Sequence, residues 1–350
     1  MSSGDAGARD AADEAEPLIA EARDAGIHLM AVPTPFLVGR VNCYLIEDDP
    51  LTLVDTGPNS GKSLDELERA IGELGHRIED VGLIVITHQH MDHLGLLEII
   101  ARRSGAEVTA FHLLGPYLED FSASATADDD FSMEVMRRHG VPGELAQALQ
   151  MVGGAFRAFG SSGRVTTLVH DGDELTLRDR TLTALHRPGH SPSDTVFWDE
   201  RREILIAGDH LLSRISSNPL ISRPLAGHAA GATAADRPHA LVDYMASLRR
   251  TQEMPARLIL GGHGPPMSDH AALIDERFRM SQRRAGKILR LLDDGPKTAY
   301  DIACQMWGNV AVTQAFLTIS EVLGHLDLLI ADGSVIEDDS DTVTVFTVRA

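Results

Sequence analysis

Apolar residues along this chain fall in short runs, each closed by Gly, Asp or His. They are Val41–Ile46 (VNCYLI), Leu51–Asp55 (LTLVD), Gly82–Thr87 (GLIVIT), Thr181–His186 (TLTALH), Glu203–Ala207 (EILIA) and Arg257–Leu260 (RLIL). Runs of this length, rich in β-branched residues and bounded by turn formers, predict strands. Helical periodicity alternates with some of them, over Gly61–Leu74 and Leu94–Arg103. The mixture predicts an α/β architecture with helices covering sheets.

Two stretches break the alternation. Residues 111–163 hold helical periodicity without strand signals, in FSMEVMRRHG and PGELAQALQMVGGAF. This helical insertion forms either a pocket wall or lid, or a plain hairpin over a sheet face. Leu211–Ala235, rich in Ser, Pro and Gly, reads as a long loop of the kind that is functional or disordered inside a compact domain. From Ala271 a charged helix runs to Gly295 and Pro296, which end it. A short helix, an apolar helix over Val312–Ile330 and a tail with DG and DDSD turns follow, the order of a winged-helix-like module. The expected division is a structureless tail over 1–17, a catalytic domain over 18–270 carrying the insertion, and a winged-helix-like module over 271–350.

Charge narrows the partners. The chain carries a net −21, which repels polyphosphate backbones unless a local basic patch intervenes. The tail has no such patch: residues 285–350 hold four basic side chains against ten acidic ones, and 298–330 contain neither Lys nor Arg. A recognition helix without cations has no grip on phosphate, so no nucleic-acid partner is expected. The tail reads instead as a packing or dimerisation module that helps enclose a pocket, with a homodimer among the expected forms. The first seventeen residues are acidic and lack an apolar signal core, and no apolar run reaches the roughly 20 residues a bilayer needs. Cys43 and Cys304 lie far apart in apolar contexts, which speaks against a disulfide framework. A cytoplasmic protein without a membrane partner is expected.

The chemistry concentrates in Thr87-His88-Gln89-His90-Met91-Asp92-His93-Leu94-Gly95, where four ligand-type side chains fall within six residues directly after a strand run. Residues two apart on extended backbone point the same way, so His88 and His90 can grip one ion together. Asp92 and His93 follow in a tight turn that aims them at a neighbouring position. Imidazole and carboxylate suit Zn²⁺, and also Fe or Mn. One segment cannot close two coordination shells. His190 in RPGHS, Asp209 in AGDH and His263 in GGHGPP each follow a strand run and a glycine. Nine of the sixteen histidines have no such neighbourhood.

HQHMDH followed by PGH, GD and GH, in this order and at these intervals, resembles the metallo-β-lactamase superfamily over roughly residues 30–270. The resemblance implies a four-layer αβ/βα sandwich with the site at one edge of two sheets. It implies that His88, His90 and His190 hold one metal ion, that Asp92, His93 and His263 hold a second, and that Asp209 bridges them. Asp55, in LVDTG, is implied to orient a ligand from behind; a simple turn Asp before Gly57 is the other reading.

Two divalent ions, zinc above others, would share a bridging hydroxide as nucleophile, with Asp92 accepting its hydrogen bond and helping to protonate the leaving group. The expected reaction is hydrolysis of a carbonyl ester-type bond (thioester, lactone or ester) in a small acyl substrate, with a phosphodiesterase or nuclease as the alternative. Asp209 stands where metallo-β-lactamases proper tend to carry cysteine, which disfavours β-lactam hydrolysis. His90 stands where flavodiiron members carry Glu, and the full ligand set argues against the single iron of persulfide dioxygenases. The C-terminal module differs from that of glyoxalase II-like thioesterases, which puts glutathione thioesters in doubt. The pocket is expected between residues 111–163 and the loop after Asp209, with Met133, Met136, Met151, Phe156 and Phe159 available for an apolar wall. Arg214 and Arg223 near that loop either pair with a substrate anion or stand solvated. No further substrate-binding residue is assigned.

Overall fold

The computed structural model describes residues 15–225 and 237–349. Helix α1 occupies residues 15–24. Leu18 and Ala22, one turn apart, put it against the inter-sheet core, so residues 15–17 of the expected structureless tail are helical. Residues 1–14 lie outside the described residues.

The first sheet runs β1 (Ile27–Val32), β2 (Val41–Ile46), β3 (Thr52–Val54), β4 (Leu83–Ile86), β5 (Glu107–Phe111) and β6 (Thr167–Val169), neighbours in that order. The β1–β2 and β2–β3 pairs are antiparallel, and the rest are parallel. The second contains β7 (Glu174–Thr176), β8 (Thr181–His186), β9 (Thr195–Asp199), β10 (Ile204–Gly208) and β11 (Leu258–Gly261) in the order β11-β10-β9-β8-β7. All six runs read as strands are strands here, none of their ends displaced by more than one residue.

Side-chain parity explains why those runs are continuously apolar. Leu83 and Val85 of β4 enter the core between the sheets, while Ile84 and Ile86 point to the outer face. In β10, Ile204 and Ile206 face the first sheet, and Leu205 and Ala207 face outward. Both faces of each sheet are therefore covered, the condition that removes polar alternation.

The helices after α1 are α2 (Gly61–Glu73), α3 (Met91–Leu94), α4 (Leu97–Ser104), α5 (Leu114–Glu119), α6 (Phe121–Arg138), α7 (Gly143–Phe156), α8 (Ala240–Gln252), α9 (His270–Leu291), α10 (Ala299–Trp307), α11 (Asn309–Thr313) and α12 (Ala315–Ala331). Leu67 and Ile71 of α2 and Ile100 of α4 cover the first sheet. Leu241 and Leu248 of α8 and Ile274 of α9 cover the second. The result is the four-layer αβ/βα sandwich. No described helix is long and apolar enough to cross a membrane.

The C-terminal region has the expected helices and a closing hairpin, β12 (Val335–Asp338) with β13 (Val345–Val348). It does not build a core of its own. Phe131, Val135 and Met136 of α6 share one buried cluster with Ile302, Ile319, Leu323 and Phe346. The insertion and the C-terminal helices thus form one body. The apolar run read as a single helix breaks at Gln314, between α11 and α12. Asp327 of α12 takes a buried two-point ion pair from Arg237, at 2.7 and 2.6 Å. Residues 211–225 of the expected long loop form neither helix nor strand, and residues 226–236 lie outside the described residues.

Candidate metal centre

The seven residues picked out by motif all sit just beyond strand ends at one edge of the sandwich. His88 and His90 follow β4, Asp92 and His93 lie on the one-turn α3, His190 follows β8, Asp209 follows β10 and His263 follows β11. Backbone bonds between the sheets bring these ends together. The Thr195 amide donates to the Thr87 carbonyl (3.0 Å), and the Asn42 amide to that of Gly262 (2.7 Å). The Asn42 side chain adds bonds to the carbonyls of Gly261 (2.9 Å) and Gly264 (2.8 Å).

His90 Nδ1 lies 3.0 Å from His88 Nε2 and 2.9 Å from His190 Nε2. His263 Nε2 lies 3.4 Å from Asp92 Oδ2 and 3.4 Å from Asp209 Oδ2. Asp209 also reaches the others: Oδ1 is 3.4 Å from His93 Nε2 and Oδ2 is 3.5 Å from His190 Nε2. Three overlapping groups result: His88, His90 and His190; His88, His93 and Asp209; and Asp92, His93 and His263.

The outer ring nitrogens show which way the lone pairs point. His93 Nδ1 donates to Asp55 Oδ2 (2.7 Å), His190 Nδ1 to the Asn218 carbonyl (3.1 Å) and His263 Nδ1 to the Arg40 carbonyl (2.7 Å). The Thr87 hydroxyl donates to Asp55 Oδ2 (2.8 Å), so its oxygen accepts from His88 Nδ1 (3.0 Å). In the neutral rings these acceptors hold the proton on Nδ1 and turn each Nε2 lone pair toward the cluster. Asp55 also accepts from the Thr87 amide at 2.9 Å, from a left-handed backbone with φ of 58°.

Electrostatics divides the cluster. Burial keeps His88 and His90 neutral, His90 at a pKa of about 3, and neighbouring imidazoles push the same way. Burial also opposes charge on His93 and His263. There Asp209 and the other carboxylates outweigh it, lifting His93 well above its ordinary value and His263 to about 9. The Asp209 carboxylate, which burial alone would push up, is held far down by His93 and His263. One side therefore offers neutral lone pairs, and the other offers carboxylates that demand a cation.

His93 Nε2, His263 Nε2 and Asp209 Oδ1 are buried without a hydrogen-bond partner. Such atoms are rare in folded proteins because each forfeits its hydration. Divalent cations satisfy all three, and the imidazole–carboxylate donor set suits them. The cluster can hold metal ions. Glycine permits the crowding: a Cβ on Gly262 would stand 2.2 Å from Asp209 Oδ1 and 2.7 Å from His93 Cε1. Gly189, at φ of 147°, would place a Cβ 2.4 Å from Tyr244 Cα.

Above the cluster opens a cavity of about 660 Å³, onto which His90, Asp92, His190, Asp209 and His263 face. The insertion lines it through Tyr117, Phe121, Leu149 and Phe156, and the loop after Asp209 through Leu220 and Ile221. The α11–α12 junction supplies Thr313 to Leu317, part of the tail expected to help enclose the pocket. The methionines expected in the wall are elsewhere. Met136 is buried in the cluster shared with the C-terminal helices, Met133 packs against it, and Met151 is 74% exposed. Phe159 is not in the wall but packs edge-to-face with Phe36, ring centroids 6.1 Å apart. Arg223 faces the cavity with its Nε bound to Asp128 (2.8 Å), and Arg214 is not part of the wall.

Motif reading missed Asp194, whose oxygens accept from the Ser191 amide (2.9 Å) and hydroxyl (2.8 Å) and so fold the loop that presents His190. Its place four residues past His190 was the available signal. Asn218 and Arg40 act through carbonyls and leave no side-chain signature.

The chain is similar to several known proteins. Over 304 residues the chain is 33% identical to the probable metallo-hydrolase YqjP of Bacillus subtilis, covering 87% of this chain and 92% of that one. It is 30% identical over 181 residues to an acyl-coenzyme A thioesterase of Homo sapiens, covering 49% of this chain and 58% of that protein. A crystal structure of a metallo-beta-lactamase family protein from Thermus thermophilus superimposes with a TM-score of 0.75 at 27% identity, over 93% of this chain and 99% of that one. Residues 37–263 match the metallo-beta-lactamase superfamily as a whole, and with the sandwich and its cluster of histidines and aspartates this chain belongs to that superfamily.

Proposed function

We propose that this protein is a dinuclear metallohydrolase that cleaves a carbonyl ester-type bond, a thioester, lactone or ester, in a small acyl substrate. His88, His90 and His190 would hold one divalent ion, Asp92, His93 and His263 the other, with Asp209 between them. Zinc suits a set without thiolate, and Fe or Mn accept the same donors. The observation that carries the reading is the set of buried, inward-facing atoms on His93, His263 and Asp209 that converge to 3.4 Å without forming a hydrogen bond.

Bound ions of this kind supply a water of lowered pKa and a Lewis acid for the substrate oxygen. The chain does the rest. Asp92 faces the cavity, takes the proton of the attacking water and passes it to the leaving group. Asp55 keeps the proton of His93 on Nδ1 and its lone pair on Nε2. The cavity wall favours an acyl group: its aromatic and aliphatic residues exclude water, and its guanidinium groups on Arg157 and Arg223 are tied to Asp129 and Asp128. The thioesterase among the relatives points the same way.

The test is metal analysis of purified protein followed by a panel of ester, thioester, lactone and phosphodiester substrates. Two ions per chain and preferential turnover of the carbonyl substrates are expected. One ion per chain would end the dinuclear assignment, and faster cleavage of RNA or bis-aryl phosphodiesters would replace the bond class with the nuclease alternative.

A further inference from the structure

Eleven large apolar side chains stand exposed among the described residues. Four of them, Val38, Val152, Ile215 and Leu317, border the cavity above the His/Asp cluster. Three more are next to cavity residues in sequence: Leu37 beside Phe36, Met151 beside Val152 and Val312 beside Thr313. They come from the β1–β2 connection, α7, the loop after β10, and α11–α12. Exposed apolar residues scattered singly need no explanation, but a concentration around one concave opening marks a binding surface. The rim is held in place. Phe36 packs 5.5 Å from Phe156 and ties the loop bearing Leu37 and Val38 to the end of α7.

The interior beyond the cluster carries no uncompensated charge. Arg223 Nε donates to Asp128 at 2.8 Å and Arg157 Nε to Asp129 at 2.6 Å, each pair joining α6 to a different neighbour. The carboxylates of Asp128 and Asp129 offset the two guanidinium charges, so the wall presents no net cation to a substrate anion. The wall therefore suits an uncharged chain.

We propose that the substrate carries a long unbranched aliphatic chain, whose nearer methylenes fill the cavity and whose farther ones lie along the rim of Val38, Val152, Ile215 and Leu317. This rests on the carbonyl-ester reading and adds the length and nature of the acyl group. A second copy or a protein partner seated on the rim would close the opening to the cluster. A chain entering end-on uses cavity and rim as one continuous surface. Each methylene moved from water onto that surface strengthens binding by up to about fourfold.

Two measurements test this. With metal-loaded protein, kcat/KM for p-nitrophenyl esters from butanoyl to hexadecanoyl should climb by up to about fourfold per methylene while the chain still gains wall. Val152→Asp and Leu317→Asp, made singly and together at exposed positions, should cut the long-to-short ratio by roughly tenfold, the loss of two methylenes' contact or more. With metal-free protein, dodecanol should displace a neutral fluorescent probe such as 1-aminoanthracene at lower concentration than octanol, and the double variant should narrow that difference. Equal kcat/KM for butanoyl and hexadecanoyl esters, or a chain-length dependence unchanged in the double variant, would overturn the inference. Chain-length-dependent displacement without cleavage of any ester would support the chain site while sinking the proposed bond class.

Discussion

Asp55 separates the roles of holding the fold and holding the metal, and two substitutions tell them apart. Its carboxylate, almost wholly buried, accepts from the Thr87 amide at 2.9 Å, the Thr87 hydroxyl at 2.8 Å and His93 Nδ1 at 2.7 Å. Asp55→Ala strands the buried Thr87 amide and the His93 ring N–H, at roughly 1–3 kcal/mol each. It also puts alanine at φ of 58°, which adds about 1 kcal/mol. The metal-free protein should therefore lose about 3–7 kcal/mol of stability in urea titrations. Asp55→Asn behaves differently. Asparagine tolerates the left-handed backbone and keeps an oxygen for the Thr87 amide, so its cost in stability is smaller. Its amide NH₂, however, faces His93 Nδ1 and forces the ring proton onto Nε2, the atom the metal needs. Metal affinity should fall by roughly 10–100-fold, the usual effect of losing a group that orients a ligand. Competition against a chromogenic chelator measures this directly. An Asn variant that binds metal within twofold of wild type would refute the argument that Asp55 sets the tautomer.

Three further outcomes are expected. Asp209→Ala should lose metal and turnover together, since Asp209 lies within 3.5 Å of histidines from both halves of the cluster; unchanged metal content would remove it from the site. Gly262→Ala should lose metal while keeping its circular dichroism, because the new Cβ would sit 2.2 Å from Asp209 Oδ1; full occupancy would show that the loop can yield. His139, buried with neither ring nitrogen hydrogen-bonded, has its pKa lowered to about 3 by burial and then by Arg237 and Arg138. The unfolded chain, near 6.5, takes up that proton first as pH falls. Stability is thus full above about pH 6.5 and declines toward pH 3, by about 1.4 kcal/mol per unit from this one group. His139→Phe should flatten the slope by that amount between pH 6.5 and 5, and identical slopes would place the titration elsewhere.

The HQHMDH segment is legible in sequence because its ligand-type residues are consecutive and local geometry decides their direction. His190, Asp209 and His263 are legible because each ends an apolar run at a glycine, and a sandwich gathers strand ends at one edge. What periodicity cannot carry is the identity of a helix's partner. Met133 and Met136 sit on the apolar face of α6, as their spacing says, but that face meets α10 and α12 rather than the cavity. The segment that begins at residue 271 likewise shares its buried cluster with α6, which no local pattern announces. A change in texture marks where a new segment starts, not whether its core is its own. Charge pairing is equally silent: nothing near Arg223 in the chain announces Asp128, ninety-five positions away.

The common core of α6 and the C-terminal helices has a consequence for the architecture of selectivity. The floor of the cavity is made of strand ends, and its ceiling is hung from a separate apolar body built by segments about 170 positions apart. Substitutions in α12 can reshape the ceiling without moving a single residue of the floor. Removing the chain beyond Gly295 would strip Ile302, Ile319 and Leu323 from Phe131, Val135 and Met136, and the insertion would lose its support. What remained would keep every histidine and aspartate of the cluster in a dish open to water, equipped for hydrolysis yet without the means to choose its substrate.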